Sequence, residues 1–449
     1  MSYLLDIVMI SFLCPYNNTL VSLRYLLRPG VLINWIESFW VKMVTTAVIS
    51  ASGLQAVRES AKAIMEGKNV VLLGGGLSLT EELNLKSAAA ESGLLFLGPA
   101  CGSTILDGHG YGIWNKVRNG PVGIIGTFGS GIQQVACLVE EVGVSQALDV
   151  GFRDLSQRIN ALGTLSALKF LKNDPNTEVI VLVSREPVTS VQRRVVEAAL
   201  ETGKPTVFCF LGGKILRPRP KLVFTTTLEE AAWQTLSLVG GGRPSDTFPK
   251  ISEKYKKIAE AEYSRFGYGQ KFIRGLYAGG ALCTEAMVII RKYFNAVYSN
   301  IPLEPKLKLP DPYSSKGHAF VDFGAESLSQ GRHPAVDLAP RLERLLKEAK
   351  DWETAVVLFD VLLGYGAHPN PAAELAASVR EAKRIVEESG GYLSTLASVI
   401  GTGEDPQGLQ NQVKQLEQAG VLVVNSNAQA TKMAALIASQ GKLWKNLAG

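Results

Sequence analysis

VGIIGTFGSGIQQVACLVEE, residues 122–141, decides the fold. The apolar run Val122–Ile125 has the length and side-chain type of a buried strand. It stops at Gly126-Thr127-Phe128-Gly129-Ser130-Gly131, and a helical pattern begins at once. Glycines at 126, 129 and 131 leave backbone amides unshielded by side chains. The following helix adds its free N–H groups and the positive end of its dipole. Strand, glycine turn and helix N-terminus together suit a phosphate or a carboxylate. Glycine-rich βα turns also serve close packing, and the stretch alone leaves both readings open.

The same grammar extends in both directions. VTTAVIS precedes a helix at 53–66, NVVLLGG precedes one at 81–91, and LLFLGP follows. After the glycine turn come SQALDVG, a helix across 157–170, EVIVLVS, a helix across 188–201, and PTVFCFL. Short, nearly continuous apolar strands alternating with helices imply parallel, doubly wound sheets. Residues 241–270 read as a linker and a polar helix, and GLYAGGALCTEAMVII (275–290) as a glycine turn entering an apolar helix. The Pro- and Lys-rich segment 300–317 is the clearest boundary. Beyond it a second series runs through HAFVDFG, TAVVLFDVLLGYG, TLASVIGTG and VLVVNS.

Composition excludes several classes. With 449 residues, 46% hydrophobic and 19% charged, the chain is neither disordered nor membrane-spanning in character. A net charge of +5 without basic runs argues against nucleic acid. Five scattered cysteines show no metal-ligand spacing and fit reduced thiols in a cytoplasmic protein. The apolar runs of residues 1–42 are each shorter than the roughly 18 residues a spanning helix needs. They are expected to form an extension outside the architecture described above.

A second strand-to-helix turn of the opening type lies at Gly364-Tyr365-Gly366-Ala367-His368-Pro369-Asn370-Pro371. Pro371 suits a first helical turn, where its missing N–H costs nothing. Two such turns facing one another would give one anion two helix N-termini. His368 either caps this turn or contacts substrate and carries a proton. Arg153, after the strand SQALDV, suits a carboxylate or phosphate clamp, or a surface ion pair with Asp154. Ser184-Arg185 ends its strand in the same way. Arg332 and His333 precede a helix, and Thr402 and Glu404 close the strand ASVI, where an acidic residue also suits a helix start. No nucleophile elbow, Walker loop, zinc-ligand set or Ser-His-Asp arrangement occurs.

GPACGSTILDG, GPVGIIGTFGSGIQQV, GFRDLSQRINALGTLSALKFL, EVIVLVSREP, FIRGLYAGGALCTEAM, VDFGAESLSQGRHPAVDL and VVLFDVLLGYGAHPNPAAEL resemble, in order, the FdrA family. Those proteins are similar to succinyl-CoA synthetase with pieces of its two subunits fused. The resemblance covers roughly residues 44–440. It implies a truncated Rossmann-like segment followed by two flavodoxin-like, ligase-type domains with doubly wound parallel sheets. The implied division is an extension (1–42), a partial CoA-binding-like segment (43–115), an α-type ligase domain (116–245), a linker with helices (246–315) and a β-type ligase domain (316–449).

Three parts of the synthetases are missing. These are the first glycine-rich CoA turn, the nucleotide-binding ATP-grasp domain and the phosphorylated histidine, whose place is taken by FLGGKILRPRPKLVF. By resemblance, Gly126, Thr127, Gly129, Ser130 and Gly131 would hold phosphate opposite Gly364, Gly366 and Asn370. His368 and Arg153 would act in the chemistry, with Arg332, His333, Thr402 and Glu404 on the substrate. The implied activity is that of an oxamate carbamoyltransferase subunit binding phosphate or carbamoyl phosphate, cytoplasmic and working with companion subunits in a homo- or hetero-oligomer. An acyl-CoA synthetase component that binds CoA, or a non-catalytic scaffold, are the alternatives.

Overall fold

The computed structural model describes residues 12–13, 20–21, 45–213, 219–243, 245, 251–329 and 332–448. Within the first 45 residues, which form a unit of their own, β1 (Phe12–Leu13) pairs antiparallel with β2 (Leu20–Val21). The extension expected at 1–42 otherwise lies outside the described residues. The second unit begins at Thr46.

Three sheets organise it. The first is small: β3 (Thr46–Ile49), β4 (Asn69–Leu72) and β5 (Phe96–Leu97), linked by α1 (Gly53–Met65) and α2 (Leu79–Glu91). Helix α2 starts at a capping box, with Ser78 Oγ accepting from the Glu81 N–H and the Glu81 carboxylate accepting from the Ser78 N–H.

The second sheet has the order β12-β11-β10-β8-β9-β6-β7. Its parallel part is β8 (Asn119–Gly126), β9 (Val144–Asp149), β10 (Val179–Arg185), β11 (Thr206–Leu211) and β12 (Leu222–Thr225), connected by α3 (Gly129–Leu138), α4 (Leu162–Asn173) and α5 (Thr189–Thr202), with α6 (Leu228–Leu238) after β12. Numbered from β8, this is the flavodoxin-like order, reversing beside β8. The hairpin β6 (Ser103–Leu106) and β7 (His109–Gly112) adds antiparallel to β9, so residues assigned to the CoA-like segment belong to this sheet.

The third sheet, β14-β15-β13-β16-β17-β18, is entirely parallel. It comprises β13 (Phe272–Tyr277), β14 (Val297–Ser299), β15 (His318–Asp322), β16 (Thr354–Leu362), β17 (Ser394–Ile400) and β18 (Leu422–Val424). After α7 (Glu253–Tyr263), its helices are α8 (Gly280–Ile290), α9 (Glu326–Ser329), α10 (Ala339–Glu348), α11 (Pro371–Glu388), α12 (Leu409–Gln418), α13 (Asn427–Ala438) and α14 (Trp444–Ala448). The segment 246–315, expected to be a linker with helices, therefore also contains two strands of this sheet, and β13 is central. Its hydrophobic run is broken by Arg274, which is buried against Glu348 at 3.0 Å and Asp351.

The second and third sheets share one core. Helices α3, α6, α8 and α13 contribute Ile132, Leu228, Leu282 and Met433 to a single buried cluster. All residues of α8 from Ala281 to Ile290 are buried, which explains a helix that is apolar on every side. Glu285 of α8 ties the layer together, accepting from the Leu228 N–H at 2.6 Å and from Asn427 at 2.7 Å. Among the described residues no helix is long and apolar enough to cross a membrane.

Candidate functional site

In open parallel sheets, ligand crevices form beyond the strand C-termini where the strand order reverses. Here β8 and β13 each occupy such a point, and both run straight into a glycine turn. Val183 of β10 lies opposite Gly126, so the chain leaving these two strands emerges side by side. The Thr127 N–H donates to the Val183 carbonyl at 3.1 Å, and Phe128, extended, opens α3.

Helix α8 starts against the same spot from the other sheet. The Ala281 N–H donates to Ser130 Oγ at 3.2 Å. A Cβ on Gly131 would stand 3.1 Å from the Ala281 Cβ, and one on Gly279 would stand 2.6 Å from the Ser130 Cβ. Any side chain at these two positions would push the helix starts apart. The partner that faces the opening turn is thus 277–281, not 364–371.

Three side chains surround the point where the two helix starts meet, the crevice expected beyond these strand ends. Arg185, at the end of β10, donates through Nη2 to Thr284 Oγ1 at 3.1 Å and to the Ile301 carbonyl at 3.4 Å, with its guanidinium 5.9 Å from the Phe128 ring centre. Asp322 ends β15; its Oδ1 accepts from the Gly324 N–H at 2.9 Å, and its Oδ2 is 2.8 Å from where a Gly280 Cβ would be. Burial raises the Asp322 carboxyl to about 7, the neighbouring Asp360 charge adds to this, and Arg185 opposes it. Asp360 shapes the turn itself: it accepts from the Ala278 and Gly279 N–H groups at 2.8 and 2.7 Å and pairs with Arg341 at 3.0 Å.

The turn at 364–371 is used for docking. Trp114 and Tyr365 exchange both backbone hydrogen bonds, and their rings stack with centroids 4.8 Å apart. Gly364, at φ +113°, would place a Cβ 2.3 Å from the Trp114 carbonyl oxygen, and Gly366 would place one 2.8 Å from that of Gly112. Helix α3 meets this turn through its flank, Gln133 Nε2 donating to the Leu363 carbonyl at 3.3 Å. Asn370 accepts from Gln412 and Gln415 of α12. Thr402 donates to the Lys116 carbonyl at 2.6 Å, and Asp405 accepts from Asn115 at 2.8 Å, so this loop joins the two larger sheets; Glu404 beside it is exposed.

Arg153 is engaged within the fold. Its Nε lies 2.7 Å from Glu82, and its Nη2 donates to the Leu77 carbonyl at 2.8 Å. Asp154 pairs instead with the buried Lys86 at 2.8 Å. The small sheet packs over this loop and claims both residues.

The structure does bring Arg332, His333 and His368 together, with Asp337 and Glu374, around an open cleft of about 660 Å³. His368 Nε2 is 3.2 Å from Glu374, and its Nδ1 accepts from the Asn370 N–H. Next to His333 in the chain, Pro334 lies 3.8 Å from where a Gly324 Cβ would be, two residues beyond Asp322. His318 is at the opposite end of β15, packed on Phe272 and Phe294, and burial lowers it to about 4.

Sequence comparison identifies the relatives of this architecture. The CoA-ligase family model matches residues 276–437, the third sheet from the end of β13 to α13. The uncharacterized protein YahF of Escherichia coli (strain K12) is 39% identical over 385 residues, 85% of this chain and 74% of YahF. The chain belongs to the YahF family. Its residues 276–437 form a CoA-ligase domain by that match. Among solved structures, the dinucleotide-forming acetyl-coenzyme A synthetase 1 of Ca. Korarchaeum cryptofilum aligns at 16% identity over 90% of this chain and 86% of that one, with TM-score 0.33. ATP citrate lyase from Methanothrix soehngenii aligns at 10% identity over 91% and 83%, with TM-score 0.36.

Sequence reasoning missed Arg185 as a site residue, and Thr284, Asp322 and Asp360 altogether. The available signal was the glycine turn in GLYAGGALCTEAM, which repeats the opening grammar once FIRGLY is read as a strand.

Proposed function

We propose that this chain binds an acyl-phosphate-type anion, of the carbamoyl phosphate class, between the N-termini of α3 and α8, as one subunit of an oxamate carbamoyltransferase-type enzyme. The observation that carries this reading is the meeting of two helix starts over Ser130 with the Arg185 guanidinium beside them. Each helix start stabilises an anion by up to about 2 kcal/mol in partly buried geometry. Hydrogen bonds to a charged group add about 1.5–3 kcal/mol. Such donors act most strongly where charge builds on the leaving phosphate.

Direct transfer then needs chiefly positioning. The acceptor amide nitrogen bonds to the carbonyl carbon, the bond from that carbon to the phosphate oxygen breaks, and the amide proton leaves with phosphate. The cleft around Arg332, His333 and His368 suits the acceptor, with Arg332 and His333 toward its carboxylate and His368 toward the proton. No histidine occurs between residues 110 and 317, so the sequence between β11 and β12 has none to phosphorylate. This favours a ready-made acyl phosphate over one made from ATP. Neither dipoles nor arginine supply the whole acceleration, and companion subunits provide the rest.

The CoA-ligase match favours a second reading, a component of an acyl-CoA synthetase. Calorimetric titration of the full chain with inorganic phosphate, carbamoyl phosphate, oxamate, CoA and ATP separates the two. Phosphate and carbamoyl phosphate are expected to bind, and Arg185→Ala to weaken both by about 10- to 100-fold. Binding of CoA and ATP without carbamoyl phosphate supports the second reading, and unchanged phosphate affinity in Arg185→Ala overturns the first.

A further inference from the structure

We propose that Asp322 is the proton-carrying member of the crevice, meeting the bound anion as the neutral acid and donating a hydrogen bond to one of its oxygens. This deepens the anion-site reading and rests on it.

Asp322 is only 6% exposed, yet it is half used. Oδ1 is held by the Gly324 N–H, whereas Oδ2 has no hydrogen bond among the described residues and lies against Gly280 at the start of α8. The backbone of Asp322 is clamped on both sides by the neutral Asn300 amide, which donates to its carbonyl at 2.8 Å and accepts from its N–H at 2.9 Å. The backbone from which the carboxyl projects is therefore fixed.

The charges around it come from three other elements. Asp360 faces it from β16, with Arg341 behind and already engaged; Arg185 faces it from β10, and the buried Cys283 thiol from α8. Ionised Asp322 would leave Arg185 shared between that carboxylate and the ligand, with like charge directly at the helix start. Protonation removes this repulsion and turns Oδ2 from a repelling acceptor into a donor. Burial places the change of charge near neutrality.

Sulfate is the test probe because it keeps its double charge across the range in which phosphate itself titrates. For the full-length protein, sulfate affinity is expected to fall by about tenfold per pH unit above about pH 7. Calorimetry at about pH 8.5, in two buffers of different protonation enthalpy, should read about one proton taken up per sulfate bound. Asp322→Asn, which donates at any pH, should keep the low-pH affinity and lose both the slope and the proton uptake. Wild-type binding without slope or uptake, or an Asn variant that keeps them, overturns the proposal. Should that variant fail to fold, proton uptake by the wild type decides alone. Sulfate and phosphate failing to bind at any pH would remove the anion site itself, a separate outcome from pH-independent binding.

Discussion

Arg341→Met is expected to lower stability by about 3–5 kcal/mol and to weaken phosphate binding, although Arg341 lies behind the crevice. Its guanidinium is 2% exposed and donates to Asp360 Oδ1 and to the Asp360 and Leu276 carbonyls. Methionine fills similar volume but leaves the fully buried Asp360 without its cation. Asp360 is already raised above its ordinary value by burial, with Arg341 opposing that shift. Removing the cation raises it further, and a carboxyl with a raised folded value loses stability as pH rises through that value. Urea unfolding should therefore show a smaller loss at pH 5 than at pH 8. The coupling to binding follows because Asp360 holds the Ala278 and Gly279 N–H groups that shape the start of α8. A variant as stable as wild type at pH 8 would contradict the assigned role.

Lys86→Met is expected to cost a similar amount, about 3–5 kcal/mol. Lys86 Nζ sits 2.8 Å from Asp154, 3.0 Å from Glu82 and 2.7 Å from the Val150 carbonyl, and all three side chains are fully buried. Asp154 keeps the Gly163 and Thr164 N–H groups, and Glu82 keeps Arg153, but two buried carboxylates lose their shared cation. This network joins the small sheet to the second sheet, so hydrogen exchange in α2 should accelerate more than in β16. Adding Glu82→Gln to Lys86→Met should recover part of the loss, because one uncompensated charge is removed. No recovery in unfolding midpoints would place the cost in packing instead.

Much of the fold was legible because strands here are buried on both faces. VGIIG, EVIVLVS and TAVVLFDVLL read as strands on composition alone, and the glycines after them mark where each chain turns into a helix. What hid β13 was Arg274, whose charge is cancelled by Glu348 and Asp351, residues about 75 positions away in sequence. Arg153 misled for the opposite reason. Its place after a strand suggested a ligand, but the Glu82 carboxylate of another layer meets it there.

The sequence by itself determined the alternating strand–helix order, the existence of glycine turns with free amides, and the lack of a histidine between residues 110 and 317. These are local properties of hydrophobic period, backbone freedom and composition. Only the tertiary structure decided which turns face one another. The glycines at 364 and 366 look in sequence like those at 129 and 131, yet the former seat a turn against Trp114 and Gly112, whereas Gly131 admits Ala281 of a second helix start. A glycine states that something comes close; what comes close is set by how two sheets pack through α3, α6, α8 and α13. The same packing took Asp322 out of water and left one of its oxygens against Gly280 at the start of α8.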